Sequence, residues 1–221
     1  MKTTLLGPLV DAYVAAQKAR VQWGNRIKAY ERGSDEPETP ELLQACYYHD
    51  AFESIELRAR EEFTRELETH AAWPWLKAQK GVKETLAAKL VSRIEIDRTP
   101  RISNLWSLAG FSVVDGHAPR LERGKKRTWD GRLKTTCWLI GRSFLLCDSP
   151  YRLRYDEAKQ KFARAHADWT KGHVHNAAMG KMIKWFLSDF WMAWRKAEGL
   201  SVSQPYSIAI LGHSPEGGGD A

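Results

Sequence analysis

No stretch of the sequence reaches the roughly 18 consecutive apolar residues that a membrane-spanning helix needs. The apolar patch near the N-terminus, MKTTLLGPLVDAYVAAQ, is interrupted by Asp11 and has no small-residue cleavage site. A cytoplasmic chain without membrane contact is therefore expected. Cysteine is scarce. Cys46, Cys137 and Cys147 are widely spaced and form no CxxC pair, which suits reduced thiols and argues against a structural zinc site. There is no phosphate-loop motif and no nucleophile with a base at readable spacing, so no enzyme class is indicated and no cofactor is expected. His173 and His175 are two apart at the start of a helix and point to different sides, while His49, His70, His117 and His166 stand alone, so no metal ligand set is expected either. No internal repeat is visible, and residues 1–72 show no strand-like alternation.

What is present is a globular composition: 221 residues, 43% apolar and 28% charged, with ten tryptophans. Tryptophan carries a large apolar surface, so a packed core is within reach. The net charge of +7 is unevenly spread. Residues 1–79 hold 10 Lys/Arg and 13 Asp/Glu, a balance of −3; residues 80–221 hold 24 and 14, a balance of +10. A half this basic has a polyanion as its natural partner, the bland alternative being solubility alone.

The apolar spacing is helical throughout, which predicts an all-α fold. A first helix runs over about 5–30, with Leu9, Tyr13, Ala16, Val21 and Ile27 as its apolar positions. ERGSDEPETP at 31–40 is a polar linker. Thr39-Pro40-Glu41 restarts a helix through cap, proline and acid, and it continues to about residue 70. Leu42, Cys46, Phe52, Ile55, Phe63 and Leu67 form its inner stripe, and Glu and Arg alternate outside. These two helices read as an antiparallel arm over 1–72, which could also serve a homodimer or a partner protein. A compact helical domain over 73–200 follows, and a glycine-rich tail over 201–221 is expected to be partly disordered. WPWL at 73–76 breaks the pattern at Pro74. Short helices are predicted at about 76–80, 83–94 and 100–110, the last opened by Thr99-Pro100. Residues 111–130 read as an irregular basic loop. Helix returns over 132–146, then after Ser149-Pro150, and again from about 175, where Met179, Met182, Ile183, Phe186, Phe190 and Trp194 make an apolar stripe suited to the core.

Two segments suggest nucleic-acid contact. KGVKETLAAKL at 80–90 has the cadence of a helix-hairpin-helix, with Gly81-Val82-Lys83 at the turn, where backbone N–H groups and a helix N-terminus can face a phosphate. The alternative is a plain helix-helix corner. Lys89, Arg93, Arg98 and Arg101 add charge beyond the turn. The loop RLERGKKRTWDGRLK is denser, with Arg120, Arg123, Lys125, Lys126, Arg127, Arg132 and Lys134 against Glu122 and Asp130. Such a cluster releases counterions when it meets phosphates. Trp129 within it is placed to stack on an unpaired base, worth roughly 1–3 kcal/mol, or to fold back onto the core.

Read together, WLKAQKGVKETLAAKLVSRIEIDRTPRISNLWSLAGF resembles the C-terminal domain of insertion-sequence transposases of the 110/116/902 group, the DEDD-type recombinases guided by a bridge RNA. Gly81-Val82 stands at the start of the family's hairpin, with Leu86, Ala87 and Leu90 in its helix. Ile94-Glu95-Ile96-Asp97 stands for the family's Ile-Gly-Asp step and Leu108-Ala109-Gly110-Phe111 for its closing motif. Arg132 to Trp138, and Tyr151 to Tyr155 with Lys171-Gly172-His173, resemble later segments, so the likeness covers about residues 73–198. It implies binding to DNA or structured RNA, mainly through phosphates. The family also carries a ribonuclease-H-like domain with four metal-binding carboxylates, for which residues 1–72 offer no match. Its nucleophilic serine follows the closing motif; 113–129 contains no serine, and Ser112 is the remaining candidate. The resemblance therefore implies a non-catalytic nucleic-acid-binding protein of mobile-element origin. The alternatives are a recombinase or nuclease subunit whose carboxylate domain is another chain, and a helical protein–protein adaptor.

Overall fold

The computed structural model describes residues 5–33, 39–113, 119–121 and 123–202. The expected disorder of the tail from 203 onward, and His117 and Glu122 in the basic loop, lie outside them. The described residues are all-helical and contain no strand: α1 Leu6–Gly33, α2 Pro40–Glu68, α3 Trp73–Lys77, α4 Glu84–Val91, α5 Ile102–Leu108, α6 Gly131–Leu146, α7 Pro150–Ala165 and α8 Lys171–Ala197, with a 3-10 turn at Ile96–Arg98. None of these helices is long and apolar enough to cross a membrane. The chain divides into two compact units, Met1–His70 with Ala87–Ser92, and Ala71–Leu86 with Arg93–Ala221.

In the first unit α1 and α2 pair antiparallel. Tyr13 meets Phe63 edge-on at 5.4 Å, Gln17 and Arg20 reach Glu56, and Trp23 stacks on Tyr48 at 4.8 Å, so positions rise along α1 as they fall along α2. Thr39 caps α2 by accepting the Leu42 N–H, with Pro40 at the first position where no donor is needed. The inner stripe differs from the sequence expectation. Val21 and Ile55 are about half exposed, and the buried positions are Leu6, Val10, Tyr13 and Ala16 on α1 against Ala45, Glu56, Ala59, Phe63 and Leu67 on α2. Small alanines let the helices approach, and Glu56 is carried inside because Arg20 (2.6 Å) and Gln17 (2.9 Å) both bond to it. The segment Ala87–Ser92 completes this unit, with the Lys89 ammonium 5.1 Å from the Tyr13 ring centre.

The second unit is built around α8, whose Met182, Phe186, Leu187, Phe190 and Trp191 are almost wholly buried; all six residues of the stripe read from sequence lie in the core. Gly141 of α6 lets that helix close on Met179 and Ile183, since an added Cβ would sit 3.0 Å from both side chains. Tyr151 of α7 stacks on Phe144 and donates to Asp189 Oδ2 at 2.7 Å, tying three helices together.

Helix boundaries correct the sequence in four places. Pro74 sits in the first turn of α3, which starts at Trp73 rather than 76, because a first-turn proline forfeits no hydrogen bond. α4 stops at Val91, and α5 begins at Ile102. Thr99 is not a cap: it is buried, its hydroxyl donates to the Ile96 carbonyl, and its own carbonyl accepts from Trp191 Nε1 and Arg195. α8 begins at Lys171, four residues early, because Thr170 caps it through the His173 N–H.

Candidate nucleic-acid interface

The hairpin-like turn lies between α3 and α4. Gly81 has φ +98°, and a Cβ there would come 2.7 Å from Cys147 Sγ and 3.1 Å from Ser143 Oγ. Ser143 also donates to the Gly81 carbonyl at 2.7 Å. The glycine is thus needed for close packing on α6 and for its left-handed backbone. Val82 is buried beneath the turn and Lys83 is exposed at the entry to α4. These contacts pack the turn on α6, and of the three turn residues only Lys83 offers its side chain to solvent.

The charges expected beyond the turn disperse. Lys89 belongs to the first unit, where burial pushes its ammonium below the usual lysine range, with Glu56 acting against the shift. Arg98 is paired with Glu95 at 2.9 Å. Arg101 precedes α5 and is exposed, its backbone N–H donating to Asn104 Oδ1. Arg93 is half-buried in the second unit.

The charges of the basic loop lie at the surface. Arg120, Arg123, Lys125, Lys126, Arg127 and Arg132 are all exposed, ahead of or within the first turn of α6. Asp130 caps that helix by accepting the Arg132 and Leu133 N–H groups at 2.7 and 2.9 Å, so the cap carboxylate already occupies part of the helix end. The Asp130 N–H donates to the Leu108 carbonyl at 2.8 Å, pinning the loop's exit to the end of α5. Trp129 is half-buried with its ring against Gly110, so close that a Cβ on that glycine would lie 2.7 Å from Cδ1. Two cations approach the ring, Lys134 Nζ at 5.1 Å and the Arg127 guanidinium at 5.8 Å from its centre. Burial holds the Lys134 ammonium below the usual lysine range, and repulsion from Arg127 lowers it further. No carboxylate pairs with Lys134 among the described residues.

A related arrangement was not legible in the sequence. Lys184 Nζ lies 4.2 Å from the Trp106 ring centre, while the Trp106 indole N–H donates to the Lys184 carbonyl. Burial, with Lys181 nearby, lowers the Lys184 ammonium as well. The two residues are 78 apart in the chain, so no local spacing signals the pair. The histidines near the start of α8 do diverge: His173 stacks on Trp169 at 3.9 Å, with His166 on the opposite contact at the same distance, whereas His175 Nδ1 meets the Tyr155 hydroxyl at 2.7 Å. Ser112 is half-buried next to Phe111, and 114–118 beyond it lie outside the described residues.

A shallow groove of ≈ 540 Å³ is lined by Gln79, Tyr151, Arg154, Trp185 and Asp189. Burial raises the Asp189 carboxyl above the usual aspartate range, and Tyr151 holds its proton against that carboxylate, as a tie between α7 and α8 does. Comparison with protein-family models, with curated proteins and with solved structures finds no match to this chain.

Proposed function

We propose that the chain binds nucleic acid through the phosphate backbone, using the basic loop and the head of α6. The observation that carries this reading is the convergence of Arg127 and Lys134 on Trp129, with no acidic partner for the lysine among the described residues. Two cations held together cost free energy, and an entering phosphate relieves both their repulsion and the unpaired burial of Lys134. Arg120, Arg123, Lys125 and Lys126 extend the positive surface along the same loop, so several phosphates can be met in succession. Trp129 acts in this reading as the floor that positions the cations, since one side of its ring is already occupied by Gly110. The order of motifs resembling a transposase C-terminal domain supports the same reading. Recognition would rest on backbone position and shape rather than on base edges.

The test is binding to duplex DNA, single strands and a structured RNA across a salt series, with wild type and a variant neutralising Lys125, Lys126 and Arg127. The expected result is salt-dependent binding whose slope becomes shallower by about one unit for each phosphate that the variant no longer neutralises. Absence of binding to all three polyanions at low salt overturns the proposal.

A further inference from the structure

On α2, His49, Asp50 and Glu53 bring one imidazole nitrogen and two carboxylate oxygens together, all within 4.8 Å of one another. Among the described residues no other trio of His, Cys, Asp or Glu places its ligand atoms so close. The spacing explains how: His49 to Glu53 is one i,i+4 step and Asp50 to Glu53 one i,i+3 step, so the three side chains form a triangle over a single turn. In the sequence His49 reads as isolated, because an imidazole and two acids in a charged helix carry no motif. From these residues we propose a divalent transition-metal site on α2, ligated by His49, Asp50 and Glu53, with zinc as its probe.

The packing around His49 supports a fixed imidazole. Its Cδ2–Nε2 edge faces Gly24 on α1, 3.6 and 3.8 Å from where a Cβ would stand, while Nδ1 lies 3.0 Å from Asp50 Oδ1. One edge of the ring is therefore covered by α1, and the other nitrogen is turned toward the carboxylates. Next to it, Trp23 stacks on Tyr48 with Arg26 over the indole, which holds this stretch of the two helices together. Asp50 and Glu53 are exposed, so a metal has an entry path and its remaining positions stay open to water or to another donor.

The donor set selects the class of ion. Ligand atoms around a tetrahedral zinc, with bonds of about 2.0–2.2 Å, stand roughly 3.4 Å apart, and those of the three groups already lie within 4.8 Å of one another. One nitrogen with two carboxylates suits zinc or manganese, whereas calcium wants six to eight oxygens that this turn does not supply. Glu53 also lies close enough to Arg20 to act on it electrostatically, so metal binding competes with that attraction. Protons compete too, because the imidazole must be neutral to ligate.

Isothermal titration of the full chain with zinc chloride tests the site. The expected result is one saturable event that weakens by at least about tenfold in His49→Ala and in Glu53→Gln, weakens in acid, and is not reproduced by calcium. Glu53 is exposed, so Glu53→Gln carries the test if His49→Ala fails to fold by circular dichroism. Manganese supplies a second readout: it broadens the Trp23 indole resonance in wild type and not in Glu53→Gln. Zinc binding that is unchanged in both variants places the metal elsewhere and overturns the proposal, as does the lack of a saturable event at millimolar zinc.

Discussion

Arg127 and Lys134 share one indole, their charged groups 5.8 and 5.1 Å from the centre of the Trp129 ring. Like charges held this close stabilise a partner at the expense of the free protein. Lys134→Met keeps the apolar stem and removes the charge. Nucleic-acid affinity should fall and its salt slope become shallower by about one unit, while the urea midpoint at neutral pH stays level or rises. The folded-state ammonium sits below its ordinary value near 10.5. The unfolded chain thus binds the extra proton in the alkaline window below that value, and stability climbs with pH there. That climb should shrink in the variant.

Gly110→Ala tests whether Trp129 organises the cations. With φ +72° and Trp129 Cδ1 only 2.7 Å from the added methyl, the substitution strains the backbone and pushes the ring away. A stability loss of about 1–3 kcal/mol is expected from the backbone position. Displacement of the indole should show as a change in tryptophan emission, with weaker nucleic-acid binding alongside. Unaltered binding in a folded variant would remove Trp129 from the interface.

Arg195 is buried and contacts no carboxylate among the described residues. Its guanidinium instead donates to the carbonyls of Ile96 (3.0 Å), Thr99 (3.4 Å) and Ser201 (2.7 Å), with the Trp191 ring 5.4 Å away. Arg195→Met removes one donor from each of these carbonyls, of which Thr99 keeps Trp191 Nε1 and Ile96 keeps the Thr99 hydroxyl, and should cost about 2 kcal/mol in urea denaturation. Arg195→Lys should recover little, because one ammonium cannot reproduce the planar fork.

Glu56 makes the first unit acid-sensitive. Burial alone would raise its carboxyl, but hydrogen bonds from Arg20 and Gln17 overcome this and leave it below its ordinary value of 4.5. A depressed folded-state value contributes stability that is complete above the unfolded-state value and is lost as pH falls through the folded one. Glu56→Gln should therefore lower stability at neutral pH by about 2 kcal/mol and flatten the acid limb of a pH–stability profile.

The parts of this fold that were legible in the sequence are those with local causes. Thr39-Pro40 and Ser149-Pro150 open helices because cap and proline act within a few residues, and the α8 stripe is buried because its period is helical. Thr99-Pro100 carries the same pattern without opening a helix, because Arg195 and Trp191, more than ninety residues away, hold Thr99 in the core. The arm's inner face departs from its hydropathy pattern for a related reason: alanines and a paired Glu56 lie inside while Ile55 lies out, and hydropathy cannot anticipate a glutamate buried by its half-buried arginine partner. The charged loop was visible as composition. Its Arg127–Trp129–Lys134 geometry required Gly110, which the chain brings in from the end of α5.

Asp189 offers the opposite sign from Glu56. Its carboxyl is raised above the ordinary 3.8, first by burial, with the Tyr151 hydrogen bond and Arg154 only partly opposing. An acid that holds its proton more tightly in the folded state loses stability as pH rises from the unfolded-state value through the folded one, and the deficit persists at neutral pH. Asp189→Asn keeps an acceptor for the Tyr151 hydroxyl, 2.7 Å away in the wild type, and removes the buried charge. The variant should be at least as stable as wild type at neutral pH, and the difference should vanish below the ordinary aspartate value, where both side chains are neutral. Paired urea titrations at the two pH values measure this directly. A variant that is less stable at neutral pH would mean that the charged Tyr151–Asp189 hydrogen bond outweighs the desolvation of the carboxylate.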